Sequence, residues 1–408
     1  REGFADDSIY RKEMLTDAKI NPEDFKELKG IIGTLSRNEI PGAVPISQTG
    51  VNKPTRTRTT TRTPRDPDPE REKREKERQE REKNISILRG ISIRIPLLIY
   101  GAEGPHDEDV GIRDFMRRVD PTSWEEFMPK GVTWEIFEKF IPYYDDEVFR
   151  IAVKEIRARA KAADSYSPEG RVKAIATIFS AFRNPDKETV LTPWRTVNRH
   201  LTETVGGWCF YDEAYQETLD SPRYVAYEGV TERLFKNPKV KVLEINSKSG
   251  LYPLWLAFSF YQERCAALQA KGETLSRKRQ QSIWREVVRE NLFIVCKTRM
   301  ARAITLRTLL GYGSGNINLE VYERLIPALR DKAENDHKIL RLIQKPSTWG
   351  LKGVSPVHFD AIVGNPPYQA QLGGASPLPV YHHFVELAIA AADLVSLITP
   401  SRWFNTGS

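Results

Sequence analysis

His358-Phe359-Asp360-Ala361-Ile362-Val363-Gly364-Asn365-Pro366-Pro367-Tyr368-Gln369 is the stretch whose reading decides the fold. Phe359 and the run Ala361 to Val363 form an apolar segment of strand length, and Gly364 with the two prolines stops it abruptly. Asn365-Pro366-Pro367-Tyr368 is therefore expected on a loop at the carboxyl end of a buried strand, where open α/β sheets collect ligands and chemistry. These four residues suit the holding of a planar, conjugated amine. The nitrogen of such a group is a poor nucleophile because its lone pair is delocalised, and two acceptors aimed at its N–H bonds favour the pyramidal form that frees it. The Asn365 side-chain oxygen and the Pro366 carbonyl can be those acceptors, while proline stiffens the loop and removes competing donors. Tyr368 adds an aromatic face for stacking, a contact worth about 1–3 kcal/mol per base in single-strand binders. A plain Asn-Pro turn after a strand is the competing reading.

Phe359 through Gln369 resembles the catalytic motif of the N6-adenine DNA methyltransferases, specifically those of the large helicase-linked restriction–modification enzymes of type IIG and single-polypeptide type I. The resemblance implies that Asn365 and Pro366 accept from the adenine amine, that Tyr368 stacks on a flipped base and that Pro367 shapes the loop. It also implies S-adenosyl-L-methionine as cofactor and double-stranded DNA as partner. Further partners implied are helicase regions of the same larger polypeptide, with a nuclease region as an additional candidate. A prokaryotic cytoplasmic setting follows from the same resemblance.

Composition is compatible with this but does not require it. The chain has 408 residues, 40% hydrophobic and 29% charged, with a net charge of +7 and a pI near 9.1. That is room for two or three domains and only a mild bias toward a polyanionic partner. No apolar run reaches membrane-spanning length, so no membrane partner is expected. Cys209, Cys265 and Cys296 have no metal-ligand spacing, so no metal is expected and free thiols in a reducing compartment are the default. The chain has no initiator Met and ends four residues after Leu397-Ile398-Thr399-Pro400-Ser401-Arg402-Trp403-Phe404, itself similar to a family motif, so a piece of a larger polypeptide is expected.

Taken in order, residues 1–50 are expected to be the end of a helicase-associated region and residues 51–84 a flexible, charged linker. Within the latter a Thr/Arg/Pro-rich stretch gives way to Glu70 through Lys83, whose mixed charges predict a solvated helix. Ile85 through Tyr100 resembles the segment just beyond the helicase motor. No phosphate-binding Gly-rich loop with Lys-Ser/Thr occurs. Residues 85–183 are expected to be a helical coupler, with helices near Trp124 to Met128, Trp134 to Ile141, Val148 to Ala163 and Glu169 to Phe182. The third carries Arg150, Lys154, Arg157, Arg159 and Lys161, either a basic solvated face or a phosphate-contacting one.

Residues 184–408 are expected to be the methyltransferase core, truncated at its C-terminal end. Thr192-Pro193 resembles the family's Thr-Pro motif that closes over the cofactor's methionine end, although an N-cap for the next helix explains it almost as well. Val240 through Ile245 reads as a second buried strand, followed by Asn246-Ser247-Lys248-Ser249-Gly250 and an amphipathic helix from Leu251 through Tyr261, the opening of a doubly wound nucleotide-binding unit. The resemblance makes this the cofactor turn and assigns Glu244, Asn246, Ser249 and Gly250 to it along with Thr192 and Pro193. Here Glu244 replaces the family's Asp, and Lys248 stands where a Gly is usual. Asn291 through Cys296 reads as a third strand, which the family ends with a ribose-binding carboxylate. This chain has Cys296-Lys297 there. The expected fold is α/β, a Rossmann-like S-adenosylmethionine-dependent methyltransferase sheet preceded by a mainly helical region. The expected activity is site-specific DNA adenine-N6 methylation in a restriction–modification or phage-defence enzyme. The alternatives are a degenerate methyltransferase-like DNA-binding domain, and a protein-glutamine or RNA guanine-N2 methyltransferase.

Overall fold

A computed structural model describes residues 69–182, 191–330, 338–353, 355–370 and 378–400. The expectations for residues 1–50, for the Thr/Arg/Pro-rich stretch through residue 68, for the boundary at Asn184 and for Ser401-Arg402-Trp403 lie outside the described residues.

The mixed-charge run begins α1 (Pro69–Ser92), which continues past it through Ile85-Ser86-Ile87-Leu88. The helix is exposed from residue 73 to 83 and carries i,i+4 pairs such as Arg78 with Glu82. Pairs this exposed are screened by water and add little to stability, so the charged half is solvated rather than packed. At Leu88 and Ile91 the chain enters the core, and α2 (Ile95–Gly101) is buried along its whole length.

Five helices follow: α3 (Ile112–Met116), α4 (Pro121–Phe127), α5 (Trp134–Phe140), α6 (Asp146–Ala163) and α7 (Pro168–Ala181). Several start at a side-chain cap, as where Asp145 accepts from the Glu147 and Val148 amides ahead of α6. The basic side chains of α6 do not form a free face. Arg150 and Lys154 pair with Asp109, Arg159 with Glu155 and Lys161 with Asp164, and Arg157 is buried against Glu108 and the Pro105 carbonyl. Arg150, Lys154 and Lys161 stay partly exposed within their pairs, as a solvated face would, while Arg157 serves the core.

After α8 (Trp194–Thr204) a hairpin, β1 (Gly207–Tyr211) with β2 (Thr218–Val225), and the short α9 (Thr231–Phe235) lead into the sheet. Its strands are β3 (Val242–Ser247), β4 (Leu292–Cys296), β5 (Asn318–Val321), β6 (Phe359–Gly364) and β9 (Ala392–Leu397). They lie in the order β5-β4-β3-β6-β9, every pair parallel. The period of two along each strand sorts side chains onto two faces. Val242, Ile294, Ala361 and Val363 face the larger core, together with α10 (Leu251–Gln269), α11 (Arg277–Asn291), α12 (Arg299–Leu310) and the helices from α2 onward. Leu243, Phe293, Val295, Phe359 and Ile362 face the other core, with α13 (Leu325–Arg330), α14 (Lys338–Gln344), Trp349 and α15 (Tyr381–Ala391). The result is the three-layer, doubly wound α/β arrangement expected of a Rossmann-like methyltransferase sheet, with a helical region in front of it.

One helix departs from its sequence pattern. Instead of being amphipathic, α10 is buried on every side from Leu251 to Tyr261. The reason is enclosure: α7, α8, α11, α12 and the hairpin surround it on the faces the sheet leaves open. A helix that is apolar all round belongs in an interior.

Candidate active site

The strand order reverses between β3 and β6, which pair in parallel through Val242 with Ala361 and Leu243 with Ile362. A ligand crevice is therefore expected outside the carboxyl ends of these two strands. Both ends carry predicted site residues.

At the end of β6, Gly364 adopts a φ of +155°, and a Cβ built on it would stand 3.6 Å from Cγ of Glu244 on β3. The two strand ends are thus in van der Waals reach. Asn365 follows, half-buried, and its Nδ2 donates to Thr192 Oγ1 at 3.1 Å. That bond spends the amide's nitrogen on protein and leaves its carbonyl oxygen, Oδ1, buried and without a hydrogen-bond partner among the described residues. Pro366 is buried and Pro367 half-buried. The Tyr368 carbonyl accepts from Val380 N at 3.0 Å, and β7 (Gln369–Ala370) pairs with β8 (Leu378–Pro379), so the loop is pinned just beyond its working residues.

At the end of β3 the backbone leaves its ladder. A register shift against β4 falls between Ile245 and Ser247, and Asn246 within it adopts a φ of 69°, a left-handed conformation that Asn tolerates better than most residues. Asn246 Oδ1 and Glu244 Oε2 are buried and, like Asn365 Oδ1, have no partner among the described residues. Burial pushes the Glu244 carboxyl up to about 8, only partly opposed by the Ser247 hydroxyl. The turn is held from behind by α12: Thr308 Oγ1 donates to the Ser249 carbonyl at 2.7 Å, and Ser247 Oγ lies 3.3 Å from Thr305 Oγ1. Gly250 has a φ of 73°, and an added Cβ would come within 3.0 Å of the Thr305 Cα. Gly250→Ala should lower the unfolding free energy by roughly 1–3 kcal/mol, measured as a shift in the urea midpoint at constant m.

Thr192 and Pro193 precede α8, with Pro193 at its N-cap position. The helix is fixed by polar groups that no local motif announces. Asn198 Oδ1 accepts from Phe210 N at 2.9 Å and Trp255 Nε1 at 3.2 Å. His200 bridges Tyr252 OH at 2.8 Å and Ser396 Oγ at 2.9 Å, tying α8 to α10 and β9. Burial pushes His200 down to about 4, so it is neutral and serves as a hydrogen-bonding strut. Thr192 is thereby fixed against Asn365.

The end of β4 offers no carboxylate of its own. Cys296 is fully buried and its thiol is held well above its ordinary range by desolvation, which makes it inert rather than nucleophilic. The half-buried Lys248 ammonium is lowered by desolvation, with Glu126 opposing that shift and Lys297 adding to it. Glu126 itself comes from α4, where it accepts from Thr298 Oγ1 at 2.5 Å.

The structure thus brings Thr192 against Asn365 and the end of β6 against Glu244, with Asn246, Ser249 and Gly250 on the turn that follows Glu244. Asp164 apart, the buried carboxyl and amide side-chain oxygens that lack a partner among the described residues belong to Glu244, Asn246 and Asn365. Unmatched oxygens of this kind fit a ligand that brings N–H groups, and a cationic one would draw off the Glu244 proton.

A search of curated proteins finds no match. Among solved structures, a "cryoEM structure DrdV-DNA complex" matches with 15% sequence identity and a TM-score of 0.31, covering 81% of this chain and 33% of that one. The chain thus spans a third of that protein's length. Residues 290–408, which carry β4, β5, β6, β9 and the Asn365-Pro366-Pro367-Tyr368 loop, match the family described as Eco57I restriction-modification methylase.

Proposed function

We propose that this chain methylates adenine N6 in DNA at specific sites, using S-adenosyl-L-methionine, as part of a restriction–modification or phage-defence enzyme. The observation that carries the reading is the Asn365 amide, whose nitrogen is committed to Thr192 while its buried oxygen stands unmatched beside the β3 turn. The restriction-modification methylase match over the same loop supports DNA as the methyl acceptor rather than protein glutamine or RNA guanine.

When bound, S-adenosylmethionine supplies an electrophilic methyl group. The chain's own residues do the positioning. Asn365 Oδ1 and the Pro366 carbonyl accept the two N–H bonds of the adenine amine, turning its lone pair out of the ring and toward the β3 end of the crevice. Tyr368 gives the base a face to stack on once it has left the duplex, since an amine inside the stack cannot reach the crevice. Glu244, with its unmatched oxygen, takes the cationic amino-acid end of the cofactor, and Asn246, Ser249 and Gly250 line the turn beneath it. Most of the rate enhancement would come from orientation, and no strong base is required before attack, because methylation itself acidifies the nitrogen.

The test is incorporation of labelled methyl into unmodified genomic DNA by the full-length polypeptide, followed by nucleoside analysis. N6-methyladenine is the expected product. Label in another base, or in protein or RNA, would overturn the substrate assignment. No transfer together with no cofactor binding would favour the binding-only reading, to which Lys248 in the turn points.

Thr192→Val tests the amide clamp separately. It keeps the side chain's shape and removes the oxygen that accepts from Asn365. Single-turnover methyl transfer should fall about tenfold, the size of one misplaced positioning contact, with an unchanged melting temperature.

A further inference from the structure

The crevice lacks one group that the cofactor's chemistry calls for, and the helical region brings it. A nucleoside lying over the first two strands of a doubly wound sheet has its ribose hydroxyls at the end of the second strand, where a carboxylate normally accepts from them. In this chain that strand is β4, and it ends in Cys296 and Lys297. A thiol buried at 0% exposure and a cation cannot accept two hydroxyl donors.

Glu126 reaches this strand end from 172 residues upstream. Its helix, α4, is docked onto the first turn of α12 by two contacts. Ser123 Oγ accepts from Met300 N at 3.0 Å, and Thr298 Oγ1 donates to Glu126 Oε2 at 2.5 Å. Thr298 is the second residue after Cys296 and the N-cap of α12, so its partner carboxylate sits at the mouth of the β4–α12 turn. The Glu126 charge is felt both at Cys296 and at Lys248 in the β3 turn. The carboxylate therefore lies beside the end of β4, held there by Thr298. At 7% exposure it is more deeply buried than an ordinary surface glutamate, and Thr298 donates to it.

We propose that Glu126, delivered by the helical region, is the acceptor for the cofactor's ribose hydroxyls, replacing the carboxylate that β4 does not supply. A carboxylate presents about four lone-pair directions, so the bonds it makes within the fold, that from Thr298 among them, orient Glu126 while it can still accept from a ligand. The helices ahead of the sheet then complete the cofactor site, and a sheet without them would bind the amino-acid end and adenine but grip the ribose poorly. The inference rests on the S-adenosylmethionine reading above.

Its test is calorimetry on the full-length polypeptide with two probes, S-adenosylhomocysteine and its 2′,3′-dideoxy analogue. Glu126→Gln should weaken S-adenosylhomocysteine binding by about tenfold to a hundredfold, as expected for losing a charge-assisted pair of hydrogen bonds, and leave the dideoxy analogue unaffected. Glu126→Asp, which keeps the charge but withdraws it by one methylene, should show the same selectivity with a smaller loss. Equal losses for both probes would reduce Glu126 to a cap on α12 and overturn the proposal, as would unchanged affinity for S-adenosylhomocysteine. Failure of the unsubstituted protein to bind either probe would remove the cofactor reading itself, a result separable from the other two.

Discussion

Asn365→Ala should lower methyl transfer by roughly 10²–10³-fold, the loss typical of removing one preorganised polar contact at a reacting centre, while S-adenosylhomocysteine affinity stays within about twofold. The split between rate and binding follows from where the side chain sits. Asn365 is on the β6 side of the crevice, and the turn assigned to the cofactor is on the β3 side. Its amide nitrogen bonds Thr192, so truncation removes both the acceptor aimed into the crevice and the bond that fixes it. Asn365→Asp is the sharper companion. It keeps an acceptor of the same shape but turns the bond to Thr192 round, because a carboxylate accepts where the amide donated and the Thr192 hydroxyl must now donate. Activity between that of wild type and Ala is expected. Wild-type turnover in Asn365→Ala would show that the amine is oriented by other groups, and the mechanism would fall with it.

The parts of this site that were legible in the sequence are those written in consecutive residues. The apolar run from Ala361 to Val363, broken by Gly364 and two prolines, announces both β6 and its loop, because strand length and proline placement are local constraints. The β3 turn was legible by position, since Val242 through Ile245 and the helix from Leu251 bracket it. What periodicity could not show is which residues distant along the chain meet. Thr192 and Asn365 are 173 residues apart, and Glu126 and Thr298 are 172 apart. Each contact exists because helices fold back over the sheet, and nothing in the spacing of either partner records that. His200 is a further case. On α8 it reads as one polar residue among several, and its role as a strut to Tyr252 and Ser396 emerges only once α10 and β9 are in place. The α6 basic residues are another case. Composition allows a solvated face or a phosphate-contacting one, and only tertiary packing shows that these residues pair with Asp109, Glu108, Glu155 and Asp164.

Glu244→Gln should make the protein more stable at pH 8 and a poorer binder of cofactor, and both effects have the same origin. In the fold the Glu244 carboxyl is held at about 8 rather than its ordinary 4.5, because burial penalises the charged form. Below pH 4.5 the group is neutral whether the chain is folded or not, and it costs nothing. Between 4.5 and about 8 the unfolded chain gives up the proton while the folded one keeps it, so stability falls as pH rises, and above 8 the loss is complete. At 1.36 kcal/mol per unit, the full loss is roughly 3–5 kcal/mol. Glutamine does not titrate. The substitution should therefore raise the denaturation midpoint strongly at pH 8 and hardly at all at pH 4.5, and a gain independent of pH would mean that Glu244 is already charged in the fold. Cofactor binding supplies the opposite half. A ligand ammonium placed against Glu244 draws the proton off, so binding at pH 6–7 should release a proton, seen as a dependence of the calorimetric heat on buffer ionisation, and affinity should rise with pH across this range. In Glu244→Gln the proton release should vanish and the affinity should become weaker and flat with pH. The carboxylate is thus kept at a cost in stability that the ligand's charge offsets, the pattern expected of a residue placed for binding rather than for the fold.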